Sequence, residues 1–146
     1  MGVTKIGKGT KVQLVCDGNG LPVGVTIAAA NVPETELIEP SLDAIVVECS
    51  DPEHLLYDKA ADSDALRERL EARGIELVTP HRRNRRLAPR QDGRALRRYK
   101  RRFKIEHLIQ RLKTFRRLRV RYDYRSAVFE GFVQLACLLI LLREFV

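Results

Sequence analysis

Polar and apolar residues alternate from Lys11 to Cys16, the turn formers Asp17, Gly18, Asn19 and Gly20 follow, and an apolar run resumes from Leu21 to Ala29. This pattern predicts a β-hairpin, with Asp17 serving turn chemistry. Leu37, Ile38, Leu42 and Ile45 recur at helical spacing between residues 34 and 48. Pro40 lacks an N–H and its ring crowds the preceding turn, so the helix is expected from about Ser41, after an irregular turn. The short apolar run from His54 to Tyr57 ends in Asp58 and reads as a buried strand. Asp62 or Ser63 suits the cap of a short amphipathic helix carrying Ala65, Leu66, Leu70 and Ala72, and Gly74 suits its stop. Ile75 to Val78 reads as a strand closed by Pro80. Residues 54–79 thus spell strand, helix, strand, which predicts a parallel βαβ unit.

Downstream, His81 to Gly93 is rich in arginine and carries Pro89 and Gly93, the composition of a basic loop. Leu96 to about Leu118 reads as one long helix. Ser126 to Phe145 is apolar nearly all round and predicts a helix packed into the core. Its most apolar stretch, Phe132 to Leu142, holds 11 residues interrupted by Gln134, against the roughly 20 of a membrane span. No membrane partner is expected. The mixture of strands and helices predicts an α/β fold, in which sites form beyond the carboxyl ends of strands.

A length of 146 residues with 45% hydrophobic content fits one domain with a core. Cys16, Cys49 and Cys137 are odd in number, far apart and without a C-x-x-C pair, so neither a disulfide framework nor a zinc site is suggested. His54, His81 and His107 form no i, i+4 pair. With no apolar signal region in Met1 to Lys5, the expected location is the cytoplasm.

Charge sharpens the picture only when it is divided by position. Between His81 and Arg121 there are 18 Lys plus Arg against Asp92 and Glu106, a balance of +16, while the other 105 residues carry 9 basic and 17 acidic residues, −8, which together give the net +8. One cationic block on an otherwise acidic chain is the footprint of a polyanion-binding surface, and arginine suits bidentate phosphate contact.

Within that block lies a spaced constellation, Tyr99-x2-Arg102-x3-Glu106-x6-Lys113. On a continuous helix at about 100° per residue, these four share about a sixth of the circumference. Ile105, Leu108, Ile109, Leu112 and Phe115 fall on a separate core stripe. A carboxylate among Arg and Lys suits a site where a hard divalent cation and phosphate charges are balanced together.

This spacing matches the signature around the last acidic residue of a large group of insertion-sequence transposases, the DDE enzymes, and the chain resembles the C-terminal part of their catalytic domain. Leu56-Tyr57-Asp58-Lys59-Ala60-Ala61-Asp62-Ser63-Asp64 looks like that family's strand-end motif around its second catalytic aspartate. Pro80 to Arg86, Phe115-Arg116-Arg117 and Gly131 to Leu135 also resemble family text. The resemblance implies an RNase H-like fold, a mixed sheet flanked by helices, in a single partial domain over 1–146. It implies Asp58 and Glu106 as catalytic carboxylates that bind Mg²⁺ or Mn²⁺, with Tyr99, Arg102 and Lys113 as accessory residues. The DNA-binding residues it implies, together with the charge block, are Arg82, Arg83, Arg85, Arg86, Arg97, Arg98, Arg101, Arg116 and Arg117. The implied partners are double-stranded DNA, at element terminal repeats and target, and an N-terminal transposase part or a full-length copy, in a bacterial nucleoid.

Two departures stand out. No residue matches the family's first aspartate, so the expected chain is N-terminally truncated, lacks the first strand and is inactive or very weak alone. Ala61 stands where the family commonly has Tyr, which is expected to loosen packing beside Asp58. Two other classes remain open: a non-enzymatic DNA-binding protein, a truncated inhibitor or remnant, and an RNase H-like nuclease unrelated to transposition.

Overall fold

The computed structural model describes residues 2–4, 7–46, 51–90 and 93–144. In chain order these form β1 (Gly2–Thr4), β2 (Gly7–Cys16), β3 (Pro22–Ala29), α1 (Glu34–Asp43), β4 (His54–Leu56), α2 (Asp64–Ala72), β5 (Glu76–Val78), α3 (Gly93–Tyr99), α4 (Phe103–Lys113), α5 (Arg116–Arg119) and α6 (Ser126–Leu142). They gather in two compact units, residues 1–47 with 104–146, and residues 48–103.

The first unit is built on an antiparallel sheet in the order β1-β2-β3. The predicted hairpin is present. Asp17 Oδ1 accepts from the backbone N–H of Asn19 and of Leu21, both at 2.8 Å, and Gly20 takes a φ of 90° that favours glycine. The register sets Val12 opposite Ile27 and Leu14 opposite Val25, so these side chains share one face with Cys16. Against that face lies the core of the unit, Leu108 and Leu112 of α4 with Phe129, Val133, Ala136, Cys137 and Ile140 of α6.

The opposite face carries α1, which begins at Glu34 rather than at the expected Ser41 and keeps Pro40 inside it. Leu37, Ile38 and Leu42 are buried there. Burying three such side chains contributes about 1.5–3 kcal/mol each, against a proline penalty of about 3 kcal/mol, so packing overrides local propensity. Ser41 Oγ donates to the Leu37 carbonyl and accepts from Thr26 Oγ1, both at 2.6 Å. A Cβ on Gly24 would stand 3.1 Å from the Ser41 carbonyl oxygen, so glycine lets helix and sheet approach closely.

The second unit contains the predicted βαβ. β4 and β5 are parallel, with His54, Leu55 and Leu56 opposite Glu76, Leu77 and Val78, and α2 forms the crossover. Ser63 is the cap of α2, accepting from the N–H of Leu66, and Gly74 ends it with a φ of 78°. Leu66, Leu70, Ile75, Leu77 and Val78 make the apolar core. β4 is half-buried rather than buried, because among the described residues it pairs with β5 alone.

The described strands form an antiparallel three-stranded sheet in the first unit and a parallel two-stranded one in the second. Two further expectations are corrected. The single helix over residues 96–118 is broken. A 3₁₀ turn occupies Lys100–Arg102, and extended backbone at Phe115, which packs against the first unit's core, separates α4 from α5. α6 buries one face only, leaving Val128, Leu135, Leu138, Leu139 and Leu142 exposed. The helical turn expected to reach Phe145 ends at Leu142, and Phe145 itself lies outside the described residues, as does Cys49. Cys16 and Cys137 are free thiols, and burial pushes Cys137 up to about 11.

Candidate active site

Asp58 lies two residues beyond the end of β4, where the parallel pair of strands opens. Its carboxylate caps the 3₁₀ turn Lys59–Ala61, Oδ1 accepting from the Ala60 N–H at 2.8 Å. Its carbonyl accepts from Thr79 Oγ1 at 2.5 Å and from the Ala61 N–H at 3.0 Å. The side chain is therefore fixed at its base while remaining 36% exposed. Arg102 Nη2 stands 3.8 Å from Oδ2. The other terminal nitrogen of Arg102 donates to the Tyr99 hydroxyl at 3.2 Å, and the guanidinium lies 5.9 Å from the centre of that ring. Asp58, Tyr99 and Arg102 are thus brought together within the second unit.

Four residues along, Asp62 is buried in a cationic nest. Its Oδ1 accepts from Arg67 at 3.3 Å, Arg85 at 3.1 Å and His81 at 3.1 Å, while Oδ2 accepts from the Arg82 N–H at 2.8 Å. Burial pushes the Asp62 carboxyl up, but the bonds from the Arg82 N–H, His81 and Arg67 outweigh it and hold the group below the ordinary range. Arg85 also pairs with Asp64 at 2.8 and 2.9 Å, which holds that carboxyl low as well.

Glu106 and Lys113 sit on α4 in the first unit, both exposed, on the side away from Leu108 and Leu112. The expected division into a core stripe and a polar stripe is present along α4. Lys104 Nζ donates to the Gly18 carbonyl, tying the first turn of α4 to the hairpin. At Lys100–Arg102 the chain winds as a 3₁₀ turn, about 120° per residue, so the even 100° count from Tyr99 does not run through to Glu106. Among the described residues no three His, Cys, Asp or Glu side chains assemble as a metal-holding group.

A family model described as "Transposase DDE domain" matches residues 5–141. The chain belongs to the DDE transposase family. It is 32% identical over 139 residues to a protein of Burkholderia cepacia named as the transposase of insertion sequence element IS402, covering 90% of this chain and 62% of that one. Against a protein of Brucella ovis named as the transposase of insertion sequence element IS6501, it is 31% identical over 138 residues, covering 92% of this chain and 98% of that one. This transposase chain thus spans a little under two thirds of the first relative and nearly all of the second. No solved structure matches it.

The transposase chain distributes its arginines unevenly. Arg83, Arg86, Arg97, Arg101 and Arg116 are exposed. Arg82 donates to the carbonyls of Lys59 and Ala60, Arg85 is committed to Asp62 and Asp64, Arg98 pairs with Glu76, and Arg117 pairs with Asp123 and covers the Phe132 ring. Sequence reasoning took Asp62 as a helix cap and as part of the strand-end motif, and passed over Arg67 and Thr79. Helical phase could have exposed Arg67, which lies about 60° from Leu70 on the buried side of α2. Ala61 is fully buried.

Proposed function

We propose that this chain is the segment of an insertion-sequence transposase that serves Mg²⁺- or Mn²⁺-dependent strand cleavage and transfer at element ends, on an RNase H-like fold. The observation that carries this reading is the setting of Asp58. It is an open carboxylate beyond the carboxyl end of a parallel strand, with its backbone clamped and the signature arginine beside it. The oxygen donors fit a hard cation: the Asp58 carboxylate is part-exposed and Glu106 is exposed on α4. Asp58 and Glu106 would be its ligands, and the ion when bound supplies charge stabilisation at the attacking and leaving oxygens of a phosphodiester. Arg102 and Lys113 hold phosphate oxygens, and Tyr99 orients the Arg102 fork by its hydroxyl and ring. Arg83, Arg86, Arg97, Arg101 and Arg116 supply exposed charge toward the backbone of double-stranded DNA, terminal repeats and target alike. The work is done in a bacterial cytoplasm at the nucleoid, with an N-terminal transposase part or a full-length copy as protein partner.

A second reading, a non-enzymatic DNA-binding inhibitor or remnant, is favoured by the cationic block of residues 81–121, which binds DNA whether or not cleavage follows. Cleavage of a duplex carrying the element's ends, in Mg²⁺ or Mn²⁺ and with the N-terminal transposase part supplied, separates the two. Cleavage lost in Asp58→Asn and in Glu106→Gln, with DNA affinity unchanged, supports the catalytic reading. Equal, salt-sensitive binding by all three proteins without cleavage supports the second, and cleavage that survives both substitutions contradicts the site.

A further inference from the structure

We propose that Asp62 is a positioning residue, whose buried carboxylate pins the basic loop after β5 against the turn that begins at Asp58. The inference rests on the reading of Asp58 as a metal-binding carboxylate. Its geometry lies wholly within the second unit. The side chain of Asp62 is 1% exposed, and every group facing it is a donor: Arg67, Arg85, His81 and the Arg82 N–H. His81 accepts the Arg90 N–H at Nε2, 3.3 Å away, so its proton lies on Nδ1 and is given to Asp62.

From this nest the constraint passes to Asp58 through Arg82. With its N–H fixed by Asp62, Arg82 turns its guanidinium onto the carbonyls of Lys59 at 3.0 Å and Ala60 at 2.5 Å. Those carbonyls belong to the turn capped by Asp58. Arg67 secures the other side, donating to the carbonyls of Leu77 at 2.8 Å and Thr79 at 3.4 Å, and Thr79 in turn holds the Asp58 carbonyl. One carboxylate therefore sets both the strand-end acid and the loop that presents Arg83 and Arg86 to solvent.

The test compares the full chain with Asp62→Asn and Arg82→Ala by amide hydrogen exchange and by Mn²⁺ titration followed by electron paramagnetic resonance. Arg82 is exposed, so its substitution leaves the nest folded should Asp62→Asn fail to fold. The expected result is faster exchange at Ala60 and Ala61 in both variants, exchange at Leu66 and Leu70 unchanged in Arg82→Ala and raised less than at Ala60 and Ala61 in Asp62→Asn, and Mn²⁺ affinity lowered by about 10- to 100-fold, the usual effect of losing a group that orients a metal ligand. Exchange that rises equally at Leu66 and Leu70 in Arg82→Ala reduces the contact to a structural role and overturns the proposal. So does unchanged exchange at Ala60 and Ala61 in Arg82→Ala, or unchanged Mn²⁺ affinity in a protein whose native form binds the ion. If native and Asp58→Asn chains take up Mn²⁺ equally, the metal reading of Asp58 fails, while the exchange data still decide the pinning.

Discussion

The two units solve the problem of burial by opposite means. The first encloses an apolar cluster from α4 and α6 against one face of a hairpin, with Leu108, Val133 and Ile140 each 1% exposed. The second, smaller unit places charge inside itself, with Arg67 only 3% exposed and bound to Asp62 beneath the end of its parallel strands. An apolar cluster loses stability in proportion to what is removed, whereas a charge nest is stable only while complete.

The largest expected effects come from breaking each unit by its own logic. Phe129→Ala should cost about 3–5 kcal/mol by cavity formation, read as faster amide exchange across β2, β3 and α6. Asp62→Ala should cost about 3–5 kcal/mol by leaving the Arg67 guanidinium buried with an unanswered charge. The distinction sharpens in a double variant, since Asp62→Ala with Arg67→Met should recover part of the loss, while no second substitution refills the space left by Phe129. A recovery of nothing would mean that the nest is held together by shape rather than by charge.

Acid separates the units next. Asp62 and Asp64 are held below the ordinary carboxylate range in the folded chain, so they stabilise it fully above the unfolded value of about 4. That stability is lost as pH falls through their lower folded values. Amide exchange at pH 5 and at pH 3 should therefore show β5 and the 81–85 loop loosening at the lower pH, more than α6. Smaller effects follow on α6 and at Arg102. Ile140→Ala should cost about 2–5 kcal/mol, but Leu138→Ala on the exposed face of the same helix about 0.5 or less. Arg102→Ala, breaking a half-exposed pair with Asp58, should change stability by less than about 1 kcal/mol in thermal unfolding while weakening binding to duplex DNA.

Apolar pattern and turn chemistry made the hairpin, the βαβ unit and α6 legible, because each depends on spacing within one short segment. Pro40 misled because the cost of a proline is local and visible, whereas the burial of Leu37, Ile38 and Leu42 that offsets it comes from residues distant in the chain. The long helix failed for a related reason: periodicity carried the helix past Lys113, but Phe115 turns inward to reach the apolar cluster. The position of Asp58 just beyond a strand was legible from the apolar run that precedes it. Asp62 was not, since its partners come from α2 and from 19 to 23 residues downstream, and only the fold gathers them.

The account turns on whether Asp58 and Glu106 are the acids that take the divalent ion. Mn²⁺ binding by the folded chain, followed by electron paramagnetic resonance in the presence of duplex DNA, addresses this directly. Saturable binding in the native protein that disappears in Asp58→Asn and again in Glu106→Gln is the predicted result. Native-like Mn²⁺ uptake in either variant would contradict it.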